Sequence, residues 1–274
     1  MPRLLHLTNL PRLLACIAMI STMAVGHAAP PAPIKICFED IPQKPWTFPD
    51  GTGLNIDLLK MTEAKLDERF VFISKPWKRC LEEARVGAMD AVVGAADIPE
   101  RRVYGMFPTL PDGQTDTNAR LFKDDYLVFV HAGSNITWDG KRFTNLSTPI
   151  AIQSGYMVKV KLGKLGVAMN ESSKSTLDAL RLLEAGIVDA AVTQGTGSLE
   201  ILRQNERFRS AIAPLPVPFD SVPFYLLISK VTYQRDPQRI QRIWRAIPEV
   251  RETPAYQQRE AAALSSLHTF EAGQ

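Results

Sequence analysis

One turn occurs twice in this chain, half a chain apart. Residues 82–97 read EEARVGAMDAVVGAAD, and residues 182–195 read LLEAGIVDAAVTQG. In each, a helix-like run stops at a glycine, an aspartate follows, and small or branched apolar residues lead to a second glycine. Gly87 matches Gly186 and Asp90 matches Asp189 at one shared offset of 99 residues. Glycine can close a helix in the left-handed conformation, and a short apolar run bounded by turn residues reads as a buried strand. Two copies of helix, glycine, aspartate and strand therefore predict two α/β units. In an open α/β sheet, ligands sit beyond the carboxyl ends of the strands. GAAD and TQG are then expected to be walls of a cleft. Helix–Gly–strand is also an ordinary α/β connection, so the repeat gains weight only from the rest of the chain.

The remaining pattern agrees. IKICFED at 34–40 reads as a buried strand, and IPQKPWTFPDGTG after it as a turn-rich loop. LNIDLLKMTEAKLDE reads as an amphipathic helix, RFVFISKP as a strand, WKRCLEEARVG as a helix and DAVVGA as a third strand. The first part thus runs β-α-β-α-β, the order of an open, largely parallel sheet. ARLFKDDYLVFV, TPIAIQSG and DAAVTQG are further strands, with the helices SKSTLDALRLLEAG and TGSLEILRQN among them. A proline-punctuated segment ends in the strand FYLLIS, and two helices complete the chain.

The first residues read as a leader. MPRLLHLTNLPR carries Arg3 and Arg12, LLACIAMISTMAV is apolar, and GHAAP offers small residues for cleavage near Ala28. That is the grammar of a secretory signal peptide over 1–28, and the apolar run is short for a bilayer span. LLAC at 13–16 resembles a lipoprotein cleavage box, but only three apolar residues separate Arg12 from Cys16. Cleavage removes two arginines and no acid, leaving +1 of the formal +3. So weak a charge gives no argument for nucleic acid or a membrane surface. Export also removes Cys16 and leaves Cys37 and Cys80. In an oxidising compartment an isolated pair reads as a disulfide. Two separate buried thiols are the other reading. Neither has the neighbours a metal site needs, and the histidines are scattered at 6, 27, 131 and 268.

Several segments carry a family resemblance: GLNIDLLKMTEAKL at 53–66, PWKRCLEEARVGAMDAVVG, PERRVYGMFP at 99–108 and PIAIQSG. The chain resembles the periplasmic solute-binding proteins of the amino-acid-binding type, the bacterial extracellular solute-binding protein family 3. It departs from their pattern at Asn55, where an acid is usual. The resemblance implies a two-lobed type II fold, each lobe an open, mostly parallel sheet flanked by helices, with two crossover strands as hinge. It places the first lobe at 29–122 and 217–274 and the second at 123–216.

The resemblance also implies where a ligand is held. The family uses an arginine six residues before the phenylalanine of PERRVYGMF to grip a carboxylate, which selects Arg101. Guanidinium suits that role because it donates two parallel hydrogen bonds. Arg102 is the rival, since counting from Asp90 favours it by one residue. Ser154 and Gly155 end a strand, where backbone N–H groups can cradle an anion, and Tyr156 follows them. Trp46, Phe48 and Trp77 lie at strand ends and offer aromatic walls. Glu39 and Asp97 are acids at strand ends that contact ligand or cap backbone. Many amino-acid binders place an acid in the second lobe against the ligand ammonium. The matching position, five after Asp189, is Gln194, which brings no charge. Gly94, Ala95 and Ala96 replace the small hydroxyl residues expected after the third strand. The ligand expected is therefore a small carboxylate-bearing solute, with Glu39 or Asp97 meeting any amine it carries.

The leading expectation is a monomeric periplasmic binding protein without enzymatic activity, metal or cofactor, serving an inner-membrane ABC permease. An enzyme resembling cyclohexadienyl dehydratase is the first alternative, with Glu39 or Asp97 as general acid. An accessory partner of a periplasmic redox enzyme is the second. Phosphate-binding glycine loops and nucleophile elbows do not occur in the sequence.

Overall fold

The computed structural model describes residues 31–268. The leader expected at 1–28 lies outside the described residues. The first β-α-β-α-β unit is β1 (Ile34–Glu39), α1 (Leu54–Leu66), β2 (Phe70–Lys75), α2 (Trp77–Arg85) and β3 (Ala91–Ala96). Its strands are parallel, in the order β2-β1-β3. A short helix α3 (Pro99–Arg102) and β4 (Gly105–Met106) follow, and the ten-residue strand β5 (Phe122–His131) leaves the unit. The small hairpin β6 (Thr137–Trp138) and β7 (Phe143–Thr144) precedes a second unit.

That unit is β8 (Ile150–Gln153), α4 (Val158–Lys164), β9 (Met169–Ser173), α5 (Thr176–Glu184) and β10 (Ala190–Gln194). Its parallel order, β9-β8-β10, repeats the first one strand for strand. The chain continues through α6 (Gly195–Gln204), α7 (Glu206–Ala211) and β11 (Ile212–Pro214), then returns along β12 (Asp220–Ser229). It ends on α8 (Lys230–Arg235), α9 (Pro237–Arg251) and α10 (Pro254–His268). The sequence does not announce α4, which has no side-chain cap and alternates as VKVKL with a strand's period, nor β9, whose MNESS is polar.

The repeated turn has one physical function in both units. Gly87 and Gly186 sit at φ 75° and 68°, the left-handed region, just past the ends of α2 and α5. The N–H groups that follow turn back into the helix, Ala88 to Glu83 O and Ile187 to Leu182 O. Each aspartate then ties the start of the adjacent parallel strand. Asp90 accepts from the Lys35 N–H at 2.9 Å, and Asp189 from the Ser147 and Thr148 N–H groups at 2.7 and 2.8 Å. These bonds lie at the amino ends of the strands, so the opposite, carboxyl ends are left for a site.

β5 and β12 join the two units. They pair antiparallel with each other, Phe224 opposite Phe122 and Asp220 opposite Tyr126. Each also pairs with the third strand of one unit, β12 with β3 and β5 with β10. Two crossing strands between two parallel sheets make the fold two-lobed. A large apolar core runs from Ile36, Leu58 and Val92 to Ile243 and Tyr256 and takes in Ile150, Ile152 and Val192 of the second unit, where a smaller one gathers around Leu180, Leu183 and Phe208. Cys37 on β1 and Cys80 on α2 are joined by a disulfide. Among the described residues no helix is long and apolar enough to cross a membrane.

Candidate functional site

The carboxyl ends of β1 and β3 face those of β8 and β10, and a small cavity lies between them. Its volume is ≈ 40 Å³, room for water but not for an amino acid, since one water occupies about 30 Å³ of the liquid. The lobes are therefore drawn together around it.

Arg101 supplies the cationic wall. Pro99 opens α3 with its φ preset for a helix, and the short turn delivers Arg101 inward, 4% exposed. Its guanidinium donates to two backbone carbonyls, Ala96 O at 2.9 Å on its own lobe and Gly155 O at 3.3 Å on the other. It also lies 5.1 Å from the centre of the Trp77 ring. No carboxylate among the described residues forms an ion pair with it. A buried cation held only by dipoles and a π face is costly, and burial lowers its pKa. Guanidinium stays charged regardless, so the arrangement calls for an anion.

Glu39 supplies the acid. At the end of β1 it is 6% exposed and accepts three hydrogen bonds. The Tyr156 hydroxyl donates at 2.6 Å and the Gln153 amide at 3.1 Å, both from the second lobe, and the Gln43 amide at 3.0 Å from the first. Burial pushes its pKa up to about 7, against the lowering effect of those donors. A group poised there can hold a proton or accept one near neutrality.

Aromatic side chains close the remaining walls. Trp46 stacks on Phe122 at 4.3 Å and Phe122 on Phe224 at 4.7 Å. Trp77 meets Tyr156 edge to face at 6.2 Å and donates its indole N–H to Gly155 O at 3.2 Å. Tyr126 and Asn55 also line the cavity. The Trp46 indole N–H and the Asn55 Oδ1 are buried there without a hydrogen-bond partner.

The structure thus brings Arg101, Trp46, Trp77, Glu39 and Gln194 to one cavity. Gly155 takes part through its carbonyl. Two residues are placed otherwise. Asp97 is bound by Arg102, at 2.6 and 2.5 Å, and by Thr115, away from the cavity. Arg102 is consequently the outward-facing arginine of the pair. The Ser154 N–H is given to Ser173 O across the sheet, which removes it from an anion cradle. Gln43, Gln153, Phe122 and Tyr126 are wall or contact residues the sequence reading did not single out. Gln153 ends β8, Phe122 opens β5 and Gln43 lies in the loop after β1, so position was their one sequence signal, whereas Tyr126 lies within β5 and had none. Among the described residues, no cluster of His, Cys, Asp or Glu is arranged to hold a metal ion.

Neither a family model nor a curated protein matches the chain. Solved structures do. A histidine kinase sensor domain described as similar to periplasmic binding proteins aligns with TM-score 0.69 and 18% identity, covering 84% of this chain and 96% of that one. The arginine-, lysine- and histidine-binding protein ArtJ from Geobacillus stearothermophilus aligns with TM-score 0.66 and 16% identity, covering 86% and 100%. An ancestral amino-acid-binding protein, a precursor of cyclohexadienyl dehydratase, aligns with TM-score 0.62 and 18% identity, covering 85% and 94%. The fold is that of the two-lobed periplasmic binding proteins.

Proposed function

We propose that this chain is a periplasmic solute-binding protein that closes its two lobes on a small carboxylate-bearing solute. The observation that carries this reading is the buried Arg101 guanidinium, which faces the cleft with two carbonyls and no acid as partners. A ligand carboxylate would take the forked N–H groups bidentately, and Trp46, Trp77 and Tyr126 would sandwich its body. In this reading the lobes divide as 29–122 with 217–274 against 123–216, and β5 and β12 flex to admit the solute. Export through a cleaved leader, a monomeric state and delivery to an ABC-type permease belong to the same proposal. The neighbours named as amino-acid binders support the solute class.

The test is a thermal-shift screen of protein stripped of carried-over ligand by unfolding and refolding, against amino acids, dicarboxylates and related organic acids. A ligand of the folded state raises the midpoint by mass action. A hit that vanishes in Arg101→Ala supports the reading, and a hit that survives it overturns the role of Arg101.

One observation favours a second reading. Glu39, with its pKa raised to about 7 and Tyr156 at 2.6 Å, is suited to general acid chemistry on a substrate anchored at Arg101. Turnover of a screened hit by wild-type protein, lost in Glu39→Gln with binding retained, would establish it.

A further inference from the structure

A second cavity, ≈ 470 Å³, borders the first. It lies between the loop at Ile41–Lys44 of one lobe and α5, α6 and α7 of the other. Gln43 and Gln194 line both cavities, so the two share a wall at these amides. Its apolar surface comes from Ile41, Leu177, Ile201 and Phe208. Among the described residues lining it there is no Asp or Glu. Its lysine, Lys44, is held at 3.0 Å by Gln204 Oε1. Gln194 is 8% exposed, and its side chain makes no hydrogen bond among the described residues.

These features select a chemistry. A cationic tail would find no countercharge in this space and would lose its hydration. A hydrocarbon tail would bury against four apolar side chains. At the junction, the unpartnered Gln194 amide and the Oε1 of Gln43, whose Nε2 is engaged by Glu39, would match an amide or peptide group, which offers one donor and one acceptor. Covering that amide with a ligand that does not match it would be costly.

Resting on the carboxylate reading above, we infer that the solute is an extended molecule: a carboxylate on Arg101, an amide between Gln43 and Gln194, and a neutral apolar tail in the second cavity. N-acyl amino acids and short apolar peptides have this layout, and free arginine and lysine do not. Gly197 gives the means of testing it. It lines the second cavity, and a Cβ added there would meet Lys44 O at 3.8 Å, ordinary contact distance. A larger side chain at 197 would occupy the tail space and leave the Arg101 cavity untouched.

The experiment is calorimetric titration of full-length mature protein with N-acetyl-, N-butanoyl-, N-hexanoyl- and N-octanoylglycine. Wild type, Gly197→Phe, the smaller plug Gly197→Leu, and Arg101→Ala are compared, each checked for a native thermal transition. Affinity is expected to rise about fourfold per added methylene in wild type until the cavity fills. That gain is expected to vanish in a plugged variant that still binds N-acetylglycine. Equal affinities across the wild-type series, with all binding lost in Arg101→Ala, would overturn the tail subsite and leave the carboxylate site standing. A chain-length gain undiminished by both plugs would place the tail elsewhere and also overturn it. No binding of any probe to wild type, or binding indifferent to Arg101→Ala, would overturn the carboxylate reading and the tail with it.

Discussion

The Tyr156 hydroxyl of the second lobe donates to Glu39 Oε2 of the first at 2.6 Å, with both residues buried. This bond spans the cleft. It joins the two lobes through a carboxyl group whose pKa burial has moved to about 7.

Stability should follow that proton. The folded pKa of Glu39 lies above its ordinary 4.5, so between these values the folded state binds the proton that the unfolded state has released. The contribution is fully present below pH 4.5 and is lost as pH rises through about 7. It amounts to as much as about 3 kcal/mol at one pKa unit per about 1.4 kcal/mol. Asp124, raised to about 6 by burial, adds a loss of the same sign. Thermal melts from pH 5 to pH 8 should show a falling midpoint, with a visibly shallower fall in Glu39→Gln.

The adjacent arginines should behave oppositely. Arg101→Ala removes the buried cation of the cleft and should weaken carboxylate binding at least a hundredfold, since a charged hydrogen bond is worth about 1.5–3 kcal/mol and two are lost. Arg102→Ala breaks an outer pair with Asp97 and should change affinity less than threefold. Titration of both variants with one screened hit decides between them.

Reduction should destabilise the first lobe. The Cys37–Cys80 bridge spans a sequence separation of 43 residues, for which chain entropy gives about 4 kcal/mol. Denaturant melts of Cys37→Ser/Cys80→Ser protein should show a loss of that order. A loss below about 1 kcal/mol would mean the pair contributes little beyond packing.

The twin glycines should differ in cost. Gly186→Ala places a methyl in open space and pays only the left-handed conformation, about 1–2 kcal/mol. Gly87→Ala pays that and brings its Cβ to 3.0 Å from Val231. Its midpoint should fall further than that of Gly186→Ala in the same melt.

The fold was legible because its signals are local. Gly87, Asp90, Gly186 and Asp189 announce two helix-to-strand turns through backbone conformation and hydrogen bonding within a few residues, and that logic does not depend on the rest of the molecule. The alternation of helix and strand periods around them was enough for two parallel α/β units. The segment at 158–173 was not legible, because α4 has no side-chain cap and its VKVKL alternates with a strand's period, while β9, the polar MNESS, is a strand only through its pairing with β8.

The site is another matter. Sequence alone named Glu39 and Asp97 as equivalent acids at strand ends, and Arg101 and Arg102 as rival arginines. Tertiary structure separated each pair, turning Arg101 and Glu39 into the cleft and binding Asp97 to Arg102 outside it. Which member of a pair is buried depends on the angle at which α3 leaves β3 and on what the other lobe brings to meet it. Gly155, Tyr156 and Gln153 arrive from more than fifty residues away. The chain's own order determined its two units and their common turn. The closing of one unit on the other decided which charges lost their water, and desolvation across that contact is a property no single stretch of sequence contains.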